Sequence, residues 1–212
     1  MRKFDLAIFD CDGVLIDSER LAVRTEANIL KGLGWPLTEE EIIARFVGRS
    51  PGYMQSEIEM HLGRNIDWDA EFEVEYRRVF ESDLTPMPGV TDALERIDVA
   101  TCVASSASHE KMKFTLGLTG LFDYFDGRIF SADEVRQGKP APDLFLHAAR
   151  TMNCPPSRCA VIEDSVAGVM AGVAAGMTVF GYSGSVTSSL ELTKSGAEAF
   201  GRMADLPVLL SR

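Results

Sequence analysis

Phe4-Asp5-Leu6-Ala7-Ile8-Phe9-Asp10-Cys11-Asp12-Gly13-Val14-Leu15-Ile16-Asp17-Ser18-Glu19 decides how the rest of the chain is read. An apolar run ends on Asp10, Asp12 follows two residues later, and Gly13 turns the chain. An apolar run without alternation is the pattern of a strand buried on both faces. Two carboxylates at the mouth of such a strand are costly unless something pairs with them. A hard divalent cation such as Mg²⁺ is a natural partner, because it prefers carboxylate and carbonyl oxygens. A carboxylate so placed can also act as a covalent nucleophile toward phosphorus. The stretch therefore points to phosphoryl transfer.

Further apolar runs recur downstream, bounded by Gly, Pro or acidic residues: Val99–Ala104, Cys159–Ile162, Met177–Phe180 and a weaker one at Arg128–Phe130. Helix-like segments alternate with them at Val90–Ile97, Glu110–Leu116, Asp143–Thr151 and Ser165–Ala175. Alternating strands and helices predict an α/β fold, a Rossmann-like parallel sheet with helices on both faces.

The stretch from Asp17 to about Leu84 breaks this alternation. It reads as four helices, Ser18–Leu30, one opened by Thr38-Glu39-Glu40-Glu41 and running through Phe46, Ser50–Leu62 and Asp69–Ser82. Thr38 and Glu41 have capping-box spacing. The return is the rigid Thr85-Pro86-Met87-Pro88-Gly89. The expected organisation is a catalytic α/β core made of residues 1–16 and 86–212, with an inserted all-helical cap over 17–85. An insert on two short hinges can serve as a lid.

With 212 residues there is room for one good-sized core or two modest domains. The formal charge of −11 comes without any basic stripe, which argues against nucleic acid as a partner. No apolar stretch is long enough for a bilayer, and the N-terminus lacks a signal-peptide profile, so no membrane partner and a cytoplasmic location are expected. Cys11, Cys102, Cys154 and Cys159 form no CxxC pair, so neither a disulfide scaffold nor a zinc site is indicated. Cys11, between the two aspartates, reads as a small residue facing the interior.

In an open parallel sheet, ligands bind beyond the carboxyl ends of the strands. The residues found there are Asp10 and Asp12, then Ser105 and Ser106, then Glu163 and Asp164. Lys139 lies in the turn-rich Gly138-Lys139-Pro140-Ala141-Pro142-Asp143 ahead of a helix. Singly, each has an ordinary explanation as a turn residue, a helix cap or a solvated charge. Their order along one rim is what points to a site.

On these residues the chain resembles the haloacid dehalogenase-like (HAD) superfamily, in its helical-cap subgroup. Asp10-Cys11-Asp12-Gly13-Val14-Leu15-Ile16-Asp17-Ser18-Glu19 is similar to the first motif of that family and Val103-Ala104-Ser105-Ser106 to the second. Gly138-Lys139-Pro140-Ala141-Pro142-Asp143 resembles the third and Val161-Ile162-Glu163-Asp164-Ser165-Val166-Ala167-Gly168 the fourth.

The resemblance implies a Mg²⁺-dependent phosphatase acting on a small phosphomonoester, a sugar or sugar-acid phosphate, through an aspartyl-phosphate. Asp10 would be the nucleophile and Asp12 the acid/base. Ser105, Ser106 and Lys139 would bind the phosphate. Asp10, Asp12 through its backbone carbonyl, Asp164 and Glu163, directly or through water, would be the metal ligands. Asp12 argues against dehalogenation, since a halide needs no proton whereas an alkoxide does.

A sugar phosphomutase of the beta-phosphoglucomutase type shares all four motifs. Those mutases carry a histidine in the first cap helix, and Glu19-Arg20-Leu21-Ala22-Val23-Arg24 has none. A non-catalytic interaction protein is the alternative of another class, disfavoured by the complete motif set. In the cap, Arg49 within Phe46-Val47-Gly48-Arg49-Ser50-Pro51-Gly52 would suit a carboxylate or second anionic group on the substrate. A solvated arginine in a connecting loop is the equal alternative. A monomer is the default expectation.

Overall fold

The computed structural model describes residues 3–49 and 51–212. It opens on β1 (Leu6–Phe9) and then runs through α1 (Ser18–Gly32), α2 (Glu39–Phe46), α3 (Pro51–Leu62), a π-helical turn (Asp69–Glu73) and α4 (Val74–Asp83). After α5 (Val90–Arg96) come β2 (Ala100–Ser105), α6 (His109–Leu118), β3 (Ile129–Ser131), α7 (Asp143–Thr151) and β4 (Cys159–Glu163). The chain ends through α8 (Val166–Ala174), β5 (Thr178–Tyr182), α9 (Ser189–Lys194), β6 (Glu198–Phe200) and α10 (Leu206–Leu210). It divides into two compact units, Met1–Asp17 with Thr85–Arg212, and Ser18–Leu84.

The first unit is built on one six-stranded sheet in the order β3-β2-β1-β4-β5-β6, with every pair parallel. β1 lies inside it, with Leu6 level with Ala100 on one side and Cys159 on the other. Leu6, Ile8, Cys102, Ala104 and Val161 face α7, α8 and α9 through Leu144, Phe145, Val169 and Leu192. The alternate residues Ala7, Phe9, Val103 and Ile162 are buried as well. Burial on both faces explains why these strands read as unbroken apolar runs. Gly172 lets α8 approach the sheet, because a Cβ there would lie 2.6 Å from Val179 Cγ2.

The second unit has its own core of Val23, Leu30, Trp35, Ile42, Phe46, Met54, Ile58, Ile66 and Phe72. Trp35 meets Phe46 edge-on at 6.2 Å and stacks on His61 at 4.1 Å. The Thr38–Glu41 capping box opens α2, with Thr38 Oγ1 accepting from Glu41 N at 3.2 Å and Thr38 N donating to Glu41 at 2.9 Å. Tyr76 Oη donates to Glu26 at 2.7 Å and ties α4 to α1. No helix of either unit, among the described residues, is long and apolar enough to cross a membrane.

Three features differ from the sequence expectation. The segment Asp69–Ser82 is not uniformly α-helical, because its first turn takes an i→i+5 bond from Val74 N to Asp69 O while Trp68 stacks on Phe72 at 4.3 Å. Ser105 and Glu163 are the last residues of β2 and β4 instead of the first residues beyond them. A sixth strand, Glu198–Phe200, completes the sheet at its edge. The expected start of the third cap helix at Ser50 falls outside the described residues, as do the leading residues Met1 and Arg2.

Candidate active site

The sheet order places β1 and β4 side by side at the point where the strand order reverses. Crevices form at such switch points beyond the carboxyl ends of the strands. Asp10 continues the ladder there, its N–H donating to the Ile162 carbonyl at 2.9 Å. The chain then folds tightly: Leu15 N donates to Cys11 O at 2.9 Å and Gly13 N to Ile16 O at 2.9 Å. Gly13 has φ +73°, and a Cβ on it would sit 2.0 Å from Asp164 Oδ2. Glycine is thus required twice, by the left-handed backbone and by the approach of Asp164. Cys11 is buried within this turn, and burial raises its thiol well above the usual range.

Three of the expected acids converge. Asp10, Glu163 and Asp164 are buried and each offers an oxygen within 4.8 Å of the others. Lys139 reaches into the same place from the loop before α7, with Nζ 2.7 Å from Asp10 Oδ1 and 2.6 Å from Glu163 Oε1. Its side chain is 5% exposed, and the ammonium lies 4.9 Å from the Phe145 ring centroid. Burial disfavours its charged form, but the Asp10 and Glu163 carboxylates outweigh that and hold the ammonium above the usual lysine range. Burial pushes the Asp10 carboxyl upward against the pull of Lys139, with Glu163 adding to the rise.

Glu163 is held at both ends. Oε1 takes Lys139, while Oε2 accepts from Ser165 N at 3.0 Å and Ser165 Oγ at 2.9 Å. Ser165 Oγ in turn accepts from Gly168 N at 3.0 Å as the N-cap of α8. A Cβ at Gly168 would fall 1.8 Å from Glu163 Oε1. So the fourth motif is a packing unit: the glycine makes room for the glutamate, and the serine fixes it.

The donor set suits a magnesium ion. Three carboxylates face one ammonium, and ionised together they would leave a surplus of two negative charges in a buried place. The ligands are all hard oxygens, as Mg²⁺ requires. Ser185 Oγ is buried without a hydrogen-bond partner and lies beside the same cradle, 3.0 Å from where a Gly13 Cβ would be. An orphaned hydroxyl next to Asp164 is what a hydrated cation would satisfy.

The other expected residues fall as follows. Ser105 is buried at the end of β2, its Oγ accepting from Ala107 N at 3.1 Å. Ser106, the next residue, is exposed. Asp12 points its Oδ2 at Lys111 Nζ, 3.0 Å away. Arg49 belongs to the helical unit, its guanidinium 5.6 Å from the Tyr53 ring. Lys111 and Ser185 were not legible in the sequence. Lys111 sits on α6, 99 positions from its aspartate, and no local spacing marks either residue.

A family model described as a haloacid dehalogenase-like hydrolase matches residues 4–176. The chain is 33% identical over 183 residues to 6-phosphogluconate phosphatase of Escherichia coli (strain K12), covering 85% of this chain and 83% of that protein. It is 31% identical over 205 residues to a phosphorylated carbohydrates phosphatase of Thermotoga maritima, covering 92% and 93%. A solved haloacid dehalogenase-like protein of unknown function from Agrobacterium tumefaciens superposes with a TM-score of 0.88 at 36% identity, over 98% of this chain and 97% of that one.

Proposed function

We propose, starting from the premise that this chain belongs to the haloacid dehalogenase-like hydrolase family, that it is a Mg²⁺-dependent phosphatase of small phosphorylated sugars or sugar acids. The observation that carries the reading is the buried Lys139 ammonium, 2.7 Å from Asp10, beside the Asp10–Glu163–Asp164 cluster. A phosphate dianion meeting three carboxylates would be repelled. A lysine and a divalent cation together cancel that charge.

In the first half-reaction, an Asp10 carboxylate oxygen attacks phosphorus and the phosphorus–ester oxygen bond breaks, leaving an aspartyl-phosphate. Asp12 gives its proton to the departing alkoxide. In the second, Asp12 takes a proton from water as that water attacks phosphorus. The bond to Asp10 then breaks and inorganic phosphate leaves. Lys139, Ser105 and the exposed Ser106 hold the phosphoryl oxygens. Asp10, Asp164 and the Asp12 carbonyl are the proposed magnesium ligands. Glu163, with both oxygens already bonded, would be a ligand directly or through water. A bound ion would supply Lewis-acid stabilisation of the phosphoryl charge.

Arg49 of the helical unit is the proposed selector of a second anionic group. A monomer acting in the cytoplasm completes the proposal, which the four free thiols fit.

The test is phosphate release from sugar phosphates, 6-phosphogluconate, phosphoglycolate and nucleotides, with Mg²⁺ and with EDTA. Release that needs Mg²⁺ and vanishes in Asp10→Asn is expected, with sugar acids ahead of neutral sugars if Arg49 selects. Absence of release from every ester would overturn the reading, and a requirement for a bisphosphate primer would replace it with a mutase.

A further inference from the structure

We infer that Lys111 is a positioning residue for the reaction, acting through the Asp12 carboxylate. The inference rests on the phosphatase reading above and adds a group that the four motifs do not contain. Its ammonium lies 3.0 Å from Asp12 Oδ2, a charge-assisted contact of good length. The contact joins the turn after β1 to α6, and α6 is fixed in a way that aims this one side chain.

Ser108 caps the helix by accepting from the Lys111 N–H itself at 3.2 Å. The Lys111 carbonyl accepts from Thr115 Oγ1 at 3.0 Å. Two residues earlier, His109 Nε2 lies 2.7 Å from Glu134 Oε1. Ser131 Oγ donates to the Ala107 carbonyl at 2.8 Å, and Ala107 N donates to Ser105 Oγ. The start of α6 is therefore tied through Ala107 to the ends of β2 and β3, the same rim that carries Ser105.

Asp12 needs the help. Its carboxylate is 21% exposed and follows Asp10 by two residues, so the Lys111 ammonium offsets the charge of its acidic neighbours. Holding Oδ2 fixes the plane of the carboxyl group and leaves Oδ1 to carry the proton toward the departing oxygen. Proton transfer by a placed side chain depends on that geometry. An exposed ion pair contributes little to folding, so the lysine can be removed without losing the protein.

The experiment compares two leaving groups. Wild type, Lys111→Met and Lys111→Arg are assayed with Mg²⁺ on the sugar phosphate hydrolysed fastest in the screen above and on p-nitrophenyl phosphate. The nitrophenolate leaves without a proton, and kcat/KM reports the steps up to its departure. Lys111→Met is expected to lose roughly tenfold in kcat/KM on the sugar phosphate, through kcat, with little change on the nitrophenyl ester. Lys111→Arg is expected to restore much of the loss. Equal losses on the two esters, no loss, or a loss confined to KM would overturn the inference while leaving the phosphatase reading intact. A wild type inactive on both esters would overturn the reading itself, and the inference with it.

Discussion

At the scale of the residue, Gly168 shows how far a site can depend on a side chain that is missing. A methyl group there would occupy the Glu163 carboxylate. Displacing that carboxylate frees Lys139 from one partner and Ser165 from another. Breaking a buried ion pair costs about 3–5 kcal/mol. Gly168→Ala should therefore lower stability by that order and turnover by about a hundredfold, since a displacement of an ångström at a reacting centre is enough. Thermal denaturation and phosphate release read the two effects, and an unaffected turnover would mean that Glu163 does not hold Lys139 for catalysis. Asp10, Lys139 and Asp164 could be picked out from the sequence because each follows a strand or precedes a helix. What Glu163 touches could not, because its two partners come from different loops.

At the scale of the element, the α1–α4 contact carries a half-buried acid. Tyr76 donates to Glu26, whose carboxyl burial raises despite that hydrogen bond. A carboxyl raised in the folded state stabilises below its unfolded value, and that stability is lost as pH rises through the folded value. Near neutral pH the charge at Glu26 is thus a net cost. Glu26→Gln keeps an acceptor for Tyr76 and removes the charge. It should raise the melting temperature at pH 7 and flatten the decline that wild type shows from acid to neutral pH. A variant that melts lower at pH 7 would mean that the ionised form is the better partner.

Elements were legible to different depths. The Thr38–Glu41 capping box was readable because its two bonds lie three residues apart. The Asp69–Glu73 π turn was not, since its residues suit an ordinary helix. The edge strand β6 escaped because three residues carry no period.

At the scale of the whole molecule, the net charge of −11 and the buried acid cluster make separate demands on cations. Added salt screens the first without specificity, over about 8–10 Å at ordinary ionic strength. Only a bound ion answers the second. Mg²⁺ at one hundred times its dissociation constant should stabilise the native state by about 2.7 kcal/mol. The check is the melting temperature in MgCl₂ against NaCl of equal ionic strength, for wild type and Asp164→Asn. An excess stabilisation by MgCl₂ that disappears in the variant is expected. Equal shifts in both salts would place the effect in the surface charge alone.

The position of β1 within the sheet has a consequence for synthesis. Leu6–Phe9 is made well before its neighbours, Ala100–Val103 on one side and Cys159–Ile162 on the other. Both edges of the strand that carries Asp10 stay open until Val103 has been made, and one stays open until Ile162. Pairings this distant in sequence form slowly and leave a nascent chain open to association with others. The helices of Ser18–Leu84, with their own core, have no such delay. Asp10 is thus made long before Asp164, and the cluster the two share must wait for the later strand.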